Sequence, residues 1–476
     1  MSARFGTSGL RGLATELTDG TAMLFSRAFA RHLLHQGDAV PGLQVLVGGD
    51  LRESSPVIMF HVCAGLQAEG LVPVDCGAIP TPALAYAAMS RGLPAVMVTG
   101  SHIPAERNGL KFYRARGEIS KSDETSIAFL TQDADFAAPP TPSDLVEARE
   151  GLGEAFVARL TRCFAGRPLT GLRVGVYEHS TVARDLLLRM IGDLGATPVP
   201  LGRSEMFIAL DTEAVEPGVL QTLKSWIREH RLDAIVSADG DGDRPLLIDE
   251  AGKLLRGDVI GLLTAQFLRA GAVVTPLSSN SALEQRLRVP VLRTSIGSPF
   301  VIAGMEALRR SGHRGILGFE ANGGVLLGDD VKLAGGTLSA LPTRDCFLPL
   351  AAVLSLAAAK GCALSALVSE LALPITATAK IEGLPQESLR ACMDALNTDD
   401  CEVAEVLQPL GTVATLDRTD GIRAVMTNGI IVFLRPSGNE PALRVYVEAE
   451  SEAEAQDLLV RTAALVRDHL AHKTNC

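Results

Sequence analysis

Three times along the chain a short apolar run opens into a polar, glycine-containing loop: PAVMVTGSH (94–102), DAIVSADGDGD (233–243) and GILGFEANGG (315–324). Short runs rich in Val, Ile and Leu and bounded by turn residues predict buried strands, so each loop is expected at a strand end. GLQVLVGGDLRESS (42–55) and GLRVGVYEHSTVAR (171–184) share a second layout, a buried strand followed by a polar turn and a helix-like segment, as related α/β domains would. Between strands the period changes. Over residues 19–36, Ala22, Phe25, Phe29 and Leu33 fall on one face and Gly37 supplies a stop signal, which predicts a helix. FLPLAAVLSLAAA (347–359) contains Pro349, ends at Lys360 and falls short of the roughly 18 to 20 residues a membrane span needs, so a buried helix is expected there.

The same pattern marks boundaries. DFAAPPTPSD (135–144) has the prolines and polar residues of a linker, and a weaker break lies near 250. Near 373, LPITATAKIEGLP changes the pattern to shorter strands, and the last helix is expected to begin at Ser451 with Glu454 completing a capping box. Four domains are expected: 1–138, 139–250 and 251–372 of α/β type, and 373–476 a smaller α+β unit.

Composition narrows the class. A chain of 476 residues is too long for one hydrophobic core, and 46 glycines with 4% aromatics suit α/β units. The eight cysteines are scattered without a CxxC pair, which speaks against a disulfide framework or structural zinc and for a reducing compartment. The N-terminus shows no charged-then-apolar leader, so a cytoplasmic protein is expected. A net charge of −11 disfavours nonspecific nucleic-acid binding, and an anionic substrate must be held by local basic groups. Oligomeric state has no signature in the chain.

Two motifs carry chemistry. Ser101 lies in VTGSHIPAERNGLKFY (98–113), and Asp239, Asp241 and Asp243 lie in SADGDGDRPLLID (237–249). A hydroxyl on a loop after an apolar strand, with three carboxylates two residues apart that suit a hard divalent cation, supplies the parts of a metal-assisted phosphoryl transfer. A serine after a strand is otherwise a turn residue bonding its own backbone. Asp239, Asp241, Asp243 and Glu250 also fit positions 1, 3, 5 and 12 of a calcium-binding EF-hand loop, but the sixth position is Arg244 and the flanks read as strands. A solvated acidic turn is the remaining alternative. His102 and Lys111 stand close in sequence to Ser101, and a lysine in a partly closed cleft can move protons.

Basic groups recur in two glycine-containing segments. FGTSGLRG (5–12) offers Arg11 to steady a phosphoserine, without the lysine of a Walker A loop. IIVFLRPSGNEPALRVYVEAE (430–450) sets Arg435, Ser437, Gly438 and Asn439 between two strands, with Arg444 on the returning strand. A plain hairpin turn has the same composition, but arginine forks onto phosphate oxygens bidentately.

Taken in order, these motifs resemble those of the α-D-phosphohexomutase superfamily: a serine loop, a DGDGDR metal loop, a GExSG-type sugar loop and a C-terminal RPSGTEP-type phosphate loop. The resemblance spans nearly the whole chain and is nearest to bacterial phosphomannomutases. It implies four domains around a central cleft, three related α/β domains and a smaller α+β one, each giving one loop. It further implies Ser101 as the phosphorylated residue, with Asp239, Asp241 and Asp243 as Mg²⁺ ligands beside it. Glu320 and Asn322 would meet sugar hydroxyls, Arg244 the substrate's oxygens, and Arg435 to Asn439 with Arg444 its phosphate. Lys111 resembles the family's proton-transfer lysine. The implied reaction interconverts hexose 6-phosphate and hexose 1-phosphate through a hexose 1,6-bisphosphate, with mannose as the sugar and glucose as runner-up. Departures are Gly100 and Ile103 in the serine loop, and GFEANGG (318–324) in the sugar loop, which lacks a closing histidine. That leaves Lys111 for the second proton transfer, with His102 or Lys332 in reserve. From other classes, a metal-dependent sugar phosphatase and an inactive sugar-phosphate binding protein fit the same loops.

Overall fold

The computed structural model describes residues 3–6, 8–132, 146–147, 151–382, 386–436 and 442–474. The chain forms two compact units, one of residues 1–274 and 297–370, the other of 275–296 and 371–476. The expected linker at 135–144 lies outside the described residues.

The first unit holds three mixed sheets. In the first, Gln44–Gly49 pairs in parallel with Val72–Ala78 and Ala95–Val98, and Ala95–Val98 pairs antiparallel with Arg107–Arg114. The second carries Arg173–His179 between the parallel neighbours Thr197–Arg203 and Ala234–Ala238, with Pro245–Asp249 returning antiparallel. In the third, residues 272–274 run parallel to Ile316–Phe319, which is followed antiparallel by Val325–Leu327. All three loop-bearing runs are thus central, fully buried strands, as their unbroken apolar character requires. The loops leave from the strands' C-terminal ends, where open α/β sheets place their ligands.

The helix expected over 19–36 begins at Ala22 and ends at Gln36, with Gly37 left-handed at φ 73°. Its start is later because Gly20 takes φ 106°, which breaks helical geometry in the wider turn Leu17–Thr21. Phe347–Lys360 is a buried helix, and among the described residues no helix is long and apolar enough to cross a membrane. No disulfide joins the cysteines among the described residues.

The second unit contains an antiparallel sheet in the order Ile375–Ile381, Leu443–Ala449, Ile431–Pro436, Ile422–Met426, Val413–Asp417. One face is covered by helices, with Leu389, Leu396, Leu407, Leu458 and Val466 packed on Val432, Leu434, Val445 and Val447. Its last helix, Glu452–Thr474, is capped by Ser451 Oγ, which accepts the Glu454 N–H at 3.3 Å, while Glu454 returns its carboxylate to the Glu450 N–H. The expected box closes one residue earlier than the motif prescribes.

Candidate active site

The serine loop is held by a buried polar cradle. Ser101 takes φ 55°, a left-handed value costly for a residue with a Cβ, and its backbone N–H donates to Thr99 Oγ1 at 2.7 Å. Arg52 supplies the restraint. Its Nη2 donates to the carbonyls of Ser101 (3.0 Å) and Ile103 (2.6 Å), its Nη1 to those of Pro104 and Arg107, and its Nε to Asp50 Oδ2. All five guanidinium N–H groups are thereby matched. The outer face of this guanidinium lies 4.0 Å from the Phe207 ring centroid, a cation–π contact. Gly100 is required here, because a Cβ at that position would lie 2.4 Å from Arg52 Cζ.

The metal-type loop is a tight connection between Ala234–Ala238 and Pro245–Asp249, which pair antiparallel from Ala238↔Pro245. Strand flanks rule out the EF-hand, whose loop joins helices. Gly242 turns the chain at φ 73°, and a Cβ on Gly240 would lie 2.7 Å from the Ser101 carbonyl, so the two loops come this close because Gly240 is bare backbone. Thr181 Oγ1 donates to the Asp239 carbonyl at 2.6 Å, and Thr81 donates through both Oγ1 and backbone N–H to Asp241.

Across these loops Ser101 Oγ donates to Asp239 Oδ2, and His102 Nδ1 lies 3.2 Å from the same hydroxyl. With the Ser101 proton committed to Asp239, the Nδ1–H of His102 is the donor in that contact. Lys111 Nζ donates to Asp241 Oδ2 at 2.6 Å and to Asp243 Oδ2 at 2.5 Å. The carboxylates of Asp239, Asp241 and Asp243 are buried and offer ligand atoms within 4.8 Å of one another. Among the described residues, the buried oxygens Asp241 Oδ1 and Asp243 Oδ1 have no hydrogen-bond partner. Such orphaned carboxylate oxygens fit a hard divalent cation, which takes oxygen ligands and supplies the missing partner.

The electrostatics are uneven. Burial, then the charges of Asp241 and Asp243, raise the Asp239 carboxyl well above its ordinary range, whereas a cation among the three would favour its ionised form. Burial would raise Asp243 too, but Arg344, Lys111 and Arg244 outweigh it and hold this carboxyl below the ordinary range. Burial, then Arg244 and Arg11, push His102 far down, so its imidazole is neutral. Arg11 donates to the Thr99 carbonyl at 2.9 Å, and burial lowers it to about 10. Arg244 Nε stands 3.9 Å from Asp239 Oδ2 and 3.8 Å from Asp243 Oδ1, and it is buried without a hydrogen-bond partner among the described residues.

The sugar-type loop joins the same cluster. Glu320 follows the strand Ile316–Phe319, and Arg344 Nη1 donates to its Oε2 at 2.8 Å. Asn322 is buried and its Oδ1 accepts the Gly324 N–H at 3.0 Å, shaping the loop. Lys332 sits exposed on a separate two-stranded ribbon, Val331–Leu333 with Gly336–Leu338. In the second unit Arg435 and Arg444 are register partners on adjacent strands, and Arg435 Nε donates to Asp420 Oδ2 at 2.8 Å. Ser437, Gly438 and Asn439 lie outside the described residues.

Sequence reasoning missed Asp50, Arg52, Thr81 and Arg344. A signal existed for three of them. Asp50 and Arg52 follow the buried strand Gln44–Gly49 in GGDLRESS, and Arg344 stands in PTRD shortly before a largely apolar helix, where a charge needs a buried partner.

Family profiles described as phosphoglucomutase/phosphomannomutase match at three places: alpha/beta/alpha domain I at residues 2–138, alpha/beta/alpha domain III at 256–373 and the C-terminal domain at 389–465. A phosphomannomutase of Sinorhizobium fredii is 44% identical over 473 residues, covering 99% of this chain and 100% of the relative. One from Salmonella muenchen is 40% identical, covering 98% and 96%. Among solved structures, a putative phosphomannomutase from Thermus thermophilus matches with a TM-score of 0.77 at 24% identity, covering 98% of this chain and 99% of that one.

Proposed function

We propose that this chain, which belongs to the phosphoglucomutase/phosphomannomutase family, interconverts mannose 6-phosphate and mannose 1-phosphate through a phosphoserine at Ser101. One observation carries the reading: Ser101 Oγ bonds directly to Asp239, the first of three buried carboxylates that lie 138 residues or more away in sequence. A phosphorylated Ser101 transfers its group to the free O1 or O6 of the hexose monophosphate. The P–O bond to Ser101 breaks and a bond to the sugar oxygen forms; the net proton passes from the sugar hydroxyl to the Ser101 oxygen, with Lys111 as the exchanging group that gives up one proton and takes up the other. The bisphosphate turns over and its other phosphate returns to Ser101. Asp239, Asp241 and Asp243 would hold Mg²⁺, which supplies charge neutralisation for the transferring phosphoryl group. Arg244, with an unmatched Nε in the site, meets the substrate's oxygens, and Arg11 steadies the phosphoserine. Glu320 and the Nδ2 amide of Asn322 meet sugar hydroxyls, and Arg435 and Arg444, with Ser437, Gly438 and Asn439, clamp the phosphate. The division into domains at 138, 250 and 372 accompanies this reading, and the matches to domains I, III and IV support it.

A coupled assay comparing mannose 1-phosphate with glucose 1-phosphate, with and without hexose 1,6-bisphosphate and Mg²⁺, tests it. Expected is hexose 6-phosphate formation that depends on the bisphosphate and on Mg²⁺ and is faster for mannose. Release of inorganic phosphate in proportion to substrate consumed would make the protein a phosphatase instead, and unaltered substrates would leave it a binding protein.

A further inference from the structure

The sugar loop ends in Gly324, where the family pattern often closes with histidine, and the space a side chain would enter there is filled. A Cβ on Gly324 would lie 2.8 Å and 2.9 Å from Arg344 Cδ and Cγ, and 2.9 Å from the Asp243 carbonyl. Arg344 projects from the strand Leu341–Asp345, and its side chain is 4% exposed. Its guanidinium binds in three directions: Nη1 to Glu320 Oε2 at 2.8 Å, Nε and Nη2 to Asp243 Oδ2 at 3.1 and 2.8 Å, and Nη2 to Ser8 Oγ at 3.2 Å. One rigid fork therefore ties the sugar-type loop to the metal-type loop and to the N-terminal segment. A planar guanidinium bonds two carboxylates at set angles, whereas an ammonium is a point charge that does not fix their orientation.

We propose that Arg344 is a positioning residue for the reaction put forward above, setting the Glu320 carboxylate for substrate hydroxyls and the Asp243 carboxylate for the cation through a single side chain that Gly324 makes room for. The proposal rests on that reading of the site. Groups that orient a metal ligand from behind typically alter metal affinity or activity by about 10- to 100-fold when removed. Arg344 differs from Lys111, which also pairs with Asp243, in reaching the sugar loop as well.

The test uses the full-length protein with Arg344→Gln and Arg344→Lys, read by calorimetric Mg²⁺ titration, by kcat and KM for mannose 1-phosphate, and by thermal unfolding. In Arg344→Gln, Mg²⁺ affinity is expected to fall about 10-fold and kcat about 10- to 100-fold, with KM within about 3-fold of wild type. Arg344→Lys should regain most of the Mg²⁺ affinity but not kcat, because the charge returns without the fork. Wild-type kcat in either folded variant overturns the proposal, and so does a loss of kcat with unchanged Mg²⁺ affinity in Arg344→Gln. Should Arg344→Gln fail to fold, Arg344→Lys decides by its kcat alone. A wild-type protein that binds Mg²⁺ but isomerises no phosphosugar would sink the mutase reading, and the Mg²⁺ titrations would still decide the link from Arg344 to Asp243.

Discussion

The loops of the first unit and the basic hairpin of the second treat charge in opposite ways. Around Ser101, each of Arg52, Lys111 and Arg344 is buried and bonded to two or more groups. On the hairpin, Arg435 is partly exposed and pairs with Asp420. Charges in a low-dielectric interior interact strongly but are costly if mismatched, so the first arrangement specifies one geometry. A partly solvated pair is worth about 0–1 kcal/mol and exchanges easily for another anion. On the proposed reading, the first region would serve bond-making and the second capture and release of a phosphate.

That contrast is open to experiment. Ser101→Ala should abolish turnover, lowering kcat by about 10⁴-fold or more while circular dichroism stays native; near-normal rates would remove Ser101 from the chemistry. Arg52→Met should cost about 3–5 kcal/mol in denaturant unfolding, since it leaves Asp50 buried without its counter-charge and takes the guanidinium away from four backbone carbonyls. A surface-like loss below about 1 kcal/mol would mean the loop holds its own shape. Arg435→Ala is expected to raise KM for every phosphosugar by about 10- to 100-fold with little change in kcat. A kcat-dominated loss there would erase the distinction between the regions. The smallest effect belongs to Asp420→Asn, which keeps an acceptor for the Ile296 N–H but removes the charge opposite Arg435. KM should fall by about 2- to 3-fold, and any increase would show that the ion pair presents Arg435 to the ligand.

Strand ends were legible in the sequence because apolar runs bounded by glycine and acidic turns leave few other conformations. PAVMVTGSH, DAIVSADGDGD and GILGFEANGG each place the candidate site residue just after a buried strand. Local punctuation was legible to within a few residues. It slipped at Gly20, whose positive φ delays a helix that the apolar periodicity starts earlier, and at Glu454, which caps the preceding N–H. The membership of 275–296 in the second unit had no local signature.

By itself, then, the chain determined which residues are candidates for the chemistry and on which turns they sit, since motif spacing and strand periodicity are short-range properties of the backbone. Only the tertiary structure decided that Ser101 meets Asp239, that Arg52 holds the serine loop by its carbonyls, and that Arg344 joins Glu320 to Asp243 over the bare Cα of Gly324. Those contacts arise from burial. Once separate sheets pack, every enclosed charge must find a partner among whatever groups lie opposite, and sequence distance places no limit on which those are.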